Sequence, residues 1–196
     1  MQAWNLTKTF VKMFVLRAEP SGVPSSKALL LFMSVVLVMT KIAVYLWFMQ
    51  IVNHLEDKQL IQLSYFGAGL VALTWVLVLF AFLRTALLYY KKGDRFVPGA
   101  ISFVTMDCFL TALYLLWLAG LALVDLPLQS SSIESIGIML GFTLMMYWQF
   151  MVYIHLLVYL MDIPLLKAGV FALFYMLLQH NLSEVLLNIV IVVTPK

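Results

Sequence analysis

The sequence predicts an all-α integral membrane protein: five transmembrane helices in a bundle, preceded by an amphipathic helix at the membrane surface. Three observations carry that prediction. The chain has 196 residues, 64% hydrophobic and 11% charged, with a mean hydropathy of +1.04, whereas a soluble domain is about half apolar and a quarter charged. Its apolar residues fall into five long runs, each at or beyond the roughly 20 residues that a helix needs to cross hydrocarbon. The runs do not alternate polar with apolar residues as barrel strands do, and backbone groups in hydrocarbon must find partners within the segment. Water-soluble globular and disordered states are both excluded, because so little polar surface could neither cover a core nor keep the chain solvated.

The elements follow in order. Residues 2–17 read QAWNLTKTFVKMFVLR, placing Trp4, Phe10, Val11 and Phe14 on one side of a helix with Lys8 and Lys12 beside them. An apolar face with basic neighbours suits a helix in the headgroup region, so Trp4, Lys8, Lys12 and Arg17 are the candidate membrane-surface residues. The segment AEPSGVPSS, 18–26, is a turn rich in proline and serine. Residues 1–26 thus form a cytoplasmic arm, and 27–196 the transmembrane domain. Its spans are expected at about 27–51, 60–90, 100–123, 133–161 and 165–193. KKGDRFVPG separates the second and third, with Gly93 expected to stop a helix, and VDLPLQSSS separates the third and fourth. The fourth and fifth meet at Asp162, Ile163 and Pro164, where a proline at a helix start forfeits no internal hydrogen bond.

Lysine and arginine placement sets the expected orientation. Lys8, Lys12, Arg17, Lys27, Arg84, Lys91, Lys92, Arg95 and Lys167 gather on one side of the threaded chain, against Lys58 and Lys196 on the other. The positive-inside rule then puts the N-terminus in the cytoplasm and the C-terminus outside, in the periplasm if the membrane is a bacterial inner membrane. No cleavable signal is expected, since the first 26 residues lack an uninterrupted apolar core.

Ionisable residues within spans are costly, by roughly 2.5–3.5 kcal/mol each at a helix centre on insertion scales. Lys41 falls roughly 20 Å into span one and Asp107 about 12 Å into span three, while His180 and Glu184 fall roughly 22 and 28 Å into span five. These four are the intramembrane candidates. They either line a proton or ion path, or serve structure: Lys41 paired with Asp107 or Glu184, and Glu184 reaching the headgroups. Arg84 and His155 read as snorkelling groups. Gly137 and Gly141 have the G-x-x-x-G spacing that lets helix backbones approach, which favours close packing inside the chain over dimerisation.

No catalytic, cofactor or metal site is expected. There is no H-E-x-x-H, G-x-S-x-G or P-loop, and the lone Cys108 reads as a small core residue. Basic residues are not interleaved with aromatics on a polar surface, so nucleic acid is not an expected partner.

The basic arm with its proline turn, FVLRAEPSGVPSSKALL, the five-span layout and the loop KKGDRFVPGAISFVTMDCFL leading into span three together resemble bacterial Yip1-like small polytopic membrane proteins. The resemblance covers the span layout of nearly the whole chain. It implies a role in membrane organisation and no catalytic residues. The expected function is therefore a non-enzymatic accessory, assembly or membrane-organising factor in an inner membrane. It would act through contacts with the bilayer, including anionic lipid, and with other membrane proteins. The alternative is a small transporter or channel subunit using Lys41, Asp107 and Glu184. A membrane enzyme acting on lipid has the least support.

Overall fold

The computed structural model describes residues 2–14, 23–55, 59–63, 65–123 and 132–195. The described residues form six α-helices: α1 (Gln2–Phe14), α2 (Lys27–Leu55), α3 (Tyr65–Tyr89), α4 (Phe96–Leu123), α5 (Ser132–Met161) and α6 (Leu165–Val190). All but α1 are long and apolar enough to cross a membrane. The chain is thus a multi-pass membrane protein whose candidate spans are all helical. Arg17 lies outside the described residues, as does the side chain of Trp4.

Helix ends follow local chemistry. The Ser26 hydroxyl accepts a bond from the Leu29 amide at 3.2 Å, an N-cap for α2. The Pro164 carbonyl accepts from the Ala168 amide at 3.1 Å, which starts α6 as expected. The end of α3 departs from expectation. Lys91, not Gly93, adopts the left-handed conformation (φ 57°). The Lys91 amide then bonds the Leu88 carbonyl and the Lys92 amide the Leu87 carbonyl, which closes the helix in a Schellman turn. Gly93 instead opens a 3-10 turn, Gly93–Arg95, that leads into α4.

Two short strands were not foreseen. Gln59–Leu63 (β1) pairs antiparallel with Ile191–Pro195 (β2), in a register of Gln59 with Pro195 and Leu63 with Ile191. Span two therefore starts at Tyr65 rather than 60, and span five ends at Val190 rather than 193. The β-branched run IVVT favours extended backbone, and pairing satisfies amide and carbonyl groups that a helix end leaves open. This ribbon ties the C-terminal end of the chain to the α2–α3 connection.

The opposite end of the bundle carries the α3–α4 and α5–α6 turns, which Asp162 clamps together. Lys92 Nζ lies 2.6 Å from one Asp162 oxygen and Arg95 Nη1 3.1 Å from the other. The same Arg95 nitrogen donates to the carbonyls of Tyr159 and Leu160, capping the negative end of α5. This is called the clamp end below, and the other the ribbon end.

Packing is uneven along the bundle. Near the clamp end α3, α4, α5 and α6 close on a dense core that includes Leu83, Leu87, Ile101, Phe103, Leu156, Leu157, Ala168 and Ala172. Gly99 lets α4 touch α5 closely, since a Cβ there would lie 3.0 Å from a Leu160 methyl. Towards the ribbon end the described buried residues stop at Thr111 on α4 and Gln179 on α6, and on α5 none precedes Val152. Beyond those positions the five spans leave open space between them, although α4 and α5 still touch through Trp117 and Gly141. α2 packs mainly on α4 and α3, and among its described side chains Ser34 and Leu37 are the buried ones.

α1 uses its apolar face against the bundle. Phe10 and Met13 are buried in the core, and the Phe14 ring sits 6.1 Å from those of Phe109 and Trp148. Lys8, Val11 and Lys12 face outward.

Candidate functional site

Towards the ribbon end the helices enclose a cavity of about 510 Å³ lined by residues of all five spans. Its walls are hydrocarbon and sulfur: Leu110, Leu113, Phe142, Met145, Met146, Met176 and Leu187. The polar groups lie at two levels. Lys41, Trp75, Asp107, Thr111, Gln149 and Gln179 sit at the end nearer the dense core, and His180, Ser183, Glu184 and Asn188 line the α6 side towards the ribbon. All four intramembrane candidates from the sequence thus border one space.

Helical spacing explains α6. His180, Glu184 and Asn188 recur every four residues on one stripe, and Met176, Gln179, Ser183 and Leu187 form the adjacent one. Both stripes border the cavity. Within the first, His180 Nε2 lies 4.0 Å from a Glu184 oxygen. Tyr45 on α2 approaches Ser183 across the opening.

Asp107 is 1% exposed. Its carboxyl accepts a hydrogen bond from the Tyr153 hydroxyl, which in turn accepts one from Gln149 Nε2 at 2.8 Å. Gln149 and Tyr153 are one helical turn apart on α5, so the relay needs no backbone distortion. A second pair, Gln179 donating to the Tyr175 hydroxyl, repeats the same spacing on α6. The two tyrosine rings meet edge to face at 5.4 Å, joining both pairs through the floor.

Lys41 takes neither ion-pair arrangement read from the sequence. Its ammonium lies 3.9 Å from the centroid of the Trp75 ring, a cation–π contact. Among the described residues no carboxylate comes within 4.0 Å of it. It still feels Asp107 electrostatically across the floor. Two further floor groups lack partners. Thr111 Oγ1 and Trp75 Nε1 are buried without a hydrogen bond; the Tyr45 hydroxyl is near the indole nitrogen but does not complete a bond to it.

The other candidates lie elsewhere. Gly141 faces α4: a Cβ would sit 3.0 Å from the indole nitrogen of Trp117, so this glycine serves contact within the chain. Gly137 belongs to the first turns of α5. Lys8 and Lys12 lie on α1, away from the cavity lining. Among the described residues no three His, Cys, Asp or Glu side chains gather as a metal site. Sequence reading passed over Tyr45, Trp75, Thr111 and Gln179, and took the run 145–153, which holds Gln149 and Tyr153, as ordinary apolar packing. The Gln149–Tyr153 and Tyr175–Gln179 four-residue spacings were the signal available for three of them.

No family model, curated protein or solved structure matches this chain.

Proposed function

We propose that this protein is a small, non-enzymatic membrane transporter or channel subunit whose solute site is the cavity towards the ribbon end of the bundle. One observation carries the reading: Lys41, Asp107, His180 and Glu184, each costly in hydrocarbon, border a single space instead of being dispersed, and Lys41 and Asp107 do not pair with each other. A purely structural lysine would be expected to meet a carboxylate, whereas the Lys41 ammonium rests on the Trp75 ring. The clamp-end core closes one side of the site, so a solute would enter from the ribbon end. With the clamp end cytoplasmic, as the distribution of basic residues favours, the cavity would open towards the outside, the periplasm for a bacterial inner membrane protein.

The test is flux into proteoliposomes, with internal pH followed by a trapped dye over a panel of small organic ions. Asp107→Asn is expected to abolish flux or its pH dependence while folded yield stays unchanged. A variant that merely lowers yield, with normal transport per folded molecule, would assign Asp107 to structure.

A second reading is a membrane-organising or assembly factor of the kind suggested by the Yip1-like layout, acting through anionic lipid and neighbouring membrane proteins. The outward Lys8 and Lys12 on α1 support it. Weighing against it, Phe10 and Met13 of the same helix are already committed to the core.

A further inference from the structure

The cavity has a chemical polarity of its own. Its inner end is rich in unused donors. The Lys41 ammonium has three N–H groups and no carboxylate within 4.0 Å among the described residues. Thr111, only 5% exposed, has a hydroxyl without a partner, and the indole N–H of Trp75 can only donate. Buried polar groups are nearly always satisfied. Thr111 and Trp75, on neighbouring helices α4 and α3 at one end of one space and beside the Lys41 ammonium, call for a bound group that brings acceptors. On the α4 and α5 sides, Leu110 and Leu113 across to Phe142 and Met145 offer apolar contact. The volume of about 510 Å³ falls within the range of sites that enclose a ligand larger than an inorganic ion.

We infer that the cavity binds an anionic amphiphile, its carboxylate or phosphate oxygens taking the donors of Lys41, Thr111 and Trp75 and its hydrocarbon chain lying between α4 and α5 towards the ribbon end. This rests on the reading of the cavity as a solute site and gives that solute a chemical class. Asp107 lends the inference a sign. Its carboxyl is held by Tyr153 near the same floor, and in its ionised form it repels the head group of an anion and attracts that of a cation. Removing its charge therefore strengthens binding of the proposed ligand and weakens binding of a cationic one.

The experiment measures equilibrium binding of dodecanoate, dodecyl phosphate and dodecyltrimethylammonium to the full-length protein in neutral phosphatidylcholine nanodiscs. Both anions should bind and the cation should not. Lys41→Met should weaken the anions by about tenfold or more, the usual consequence of losing a charged hydrogen bond, and Thr111→Val by a smaller factor. Asp107→Asn should tighten them. Met145→Trp, which fills the apolar part and leaves the donors alone, should exclude dodecanoate while still admitting hexanoate; it keeps the inference testable if Lys41→Met does not fold. Competition by added phosphatidylglycerol would identify a bilayer lipid as the source of the head group, and its absence a free amphiphile; either agrees with the inference. Preference for the cation, weaker anion binding in folded Asp107→Asn, or no binding of either anion by the wild type would overturn it. Binding without flux would retire the transport reading and keep this one, and flux of another solute without amphiphile binding would do the reverse.

Discussion

Asp107 is held by a single phenolic donor, and that makes Tyr153 its positioning residue. The hydroxyl donates to the carboxyl and is itself oriented by Gln149. In Tyr153→Phe the buried acid loses its donor, a change that costs about 1–3 kcal/mol where nothing replaces the bond. The expected result is a lower thermal midpoint in detergent. Combined with Asp107→Asn, the two losses should sum to less than their separate values, because both remove the same contact; strictly additive losses would show that the bond contributes nothing. Thr111 and Trp75 differ in kind. Their polar atoms are buried without partners, so apolar replacements there threaten stability less than they threaten ligand binding.

At the scale of elements, the clamp between the two turns at one end depends on the charge of Asp162. The Lys92 ammonium and the Arg95 guanidinium hydrogen-bond its carboxyl and hold its pKa below the usual aspartate range. A depressed value means that the clamp's contribution is fully present above the unfolded-chain pKa of about 3.9 and is lost as pH falls through the lower folded value. The thermal midpoint of the wild type should therefore fall on acidification below about pH 4 more steeply than that of Asp162→Asn. Since the carboxylate is exposed, the difference should be small and should shrink in high salt; an identical acid limb in both proteins would remove the clamp from the account. The ribbon works at the other end by different means. It joins β1 to β2 through backbone bonds, and so holds the end of α6 beside the α2–α3 connection.

For the whole molecule, five crossings place the clamp end and the ribbon end on opposite faces of the bilayer. With Cys108→Ala as background, single cysteines introduced at Lys91 and at Thr194 should react with an impermeant maleimide from opposite sides of sealed vesicles. Labelling from one side only would refute the threading. Much of this was legible in the sequence. Composition and run length specify membrane helices because hydrocarbon tolerates no other way of satisfying a backbone, and the four ionisable residues stood out because each carries a cost there. The β1–β2 ribbon was harder to see, because Ile191 to Val193 are as apolar as the helix they follow and only their partner strand decides against continuing it. Lys91 takes the left-handed position where Gly93 looked suited, and the Lys91 and Lys92 amides close α3 on the Leu88 and Leu87 carbonyls. The sequence by itself thus determined the solvent, the number of crossings and which side chains must be explained. Only the tertiary structure decided that those side chains share one cavity, that Lys41 lies on Trp75 and that Tyr153 holds Asp107. Local chemistry fixes the depth and facing of a residue on its own helix, but convergence depends on how separate helices cross and diverge, and that is a property of their packing.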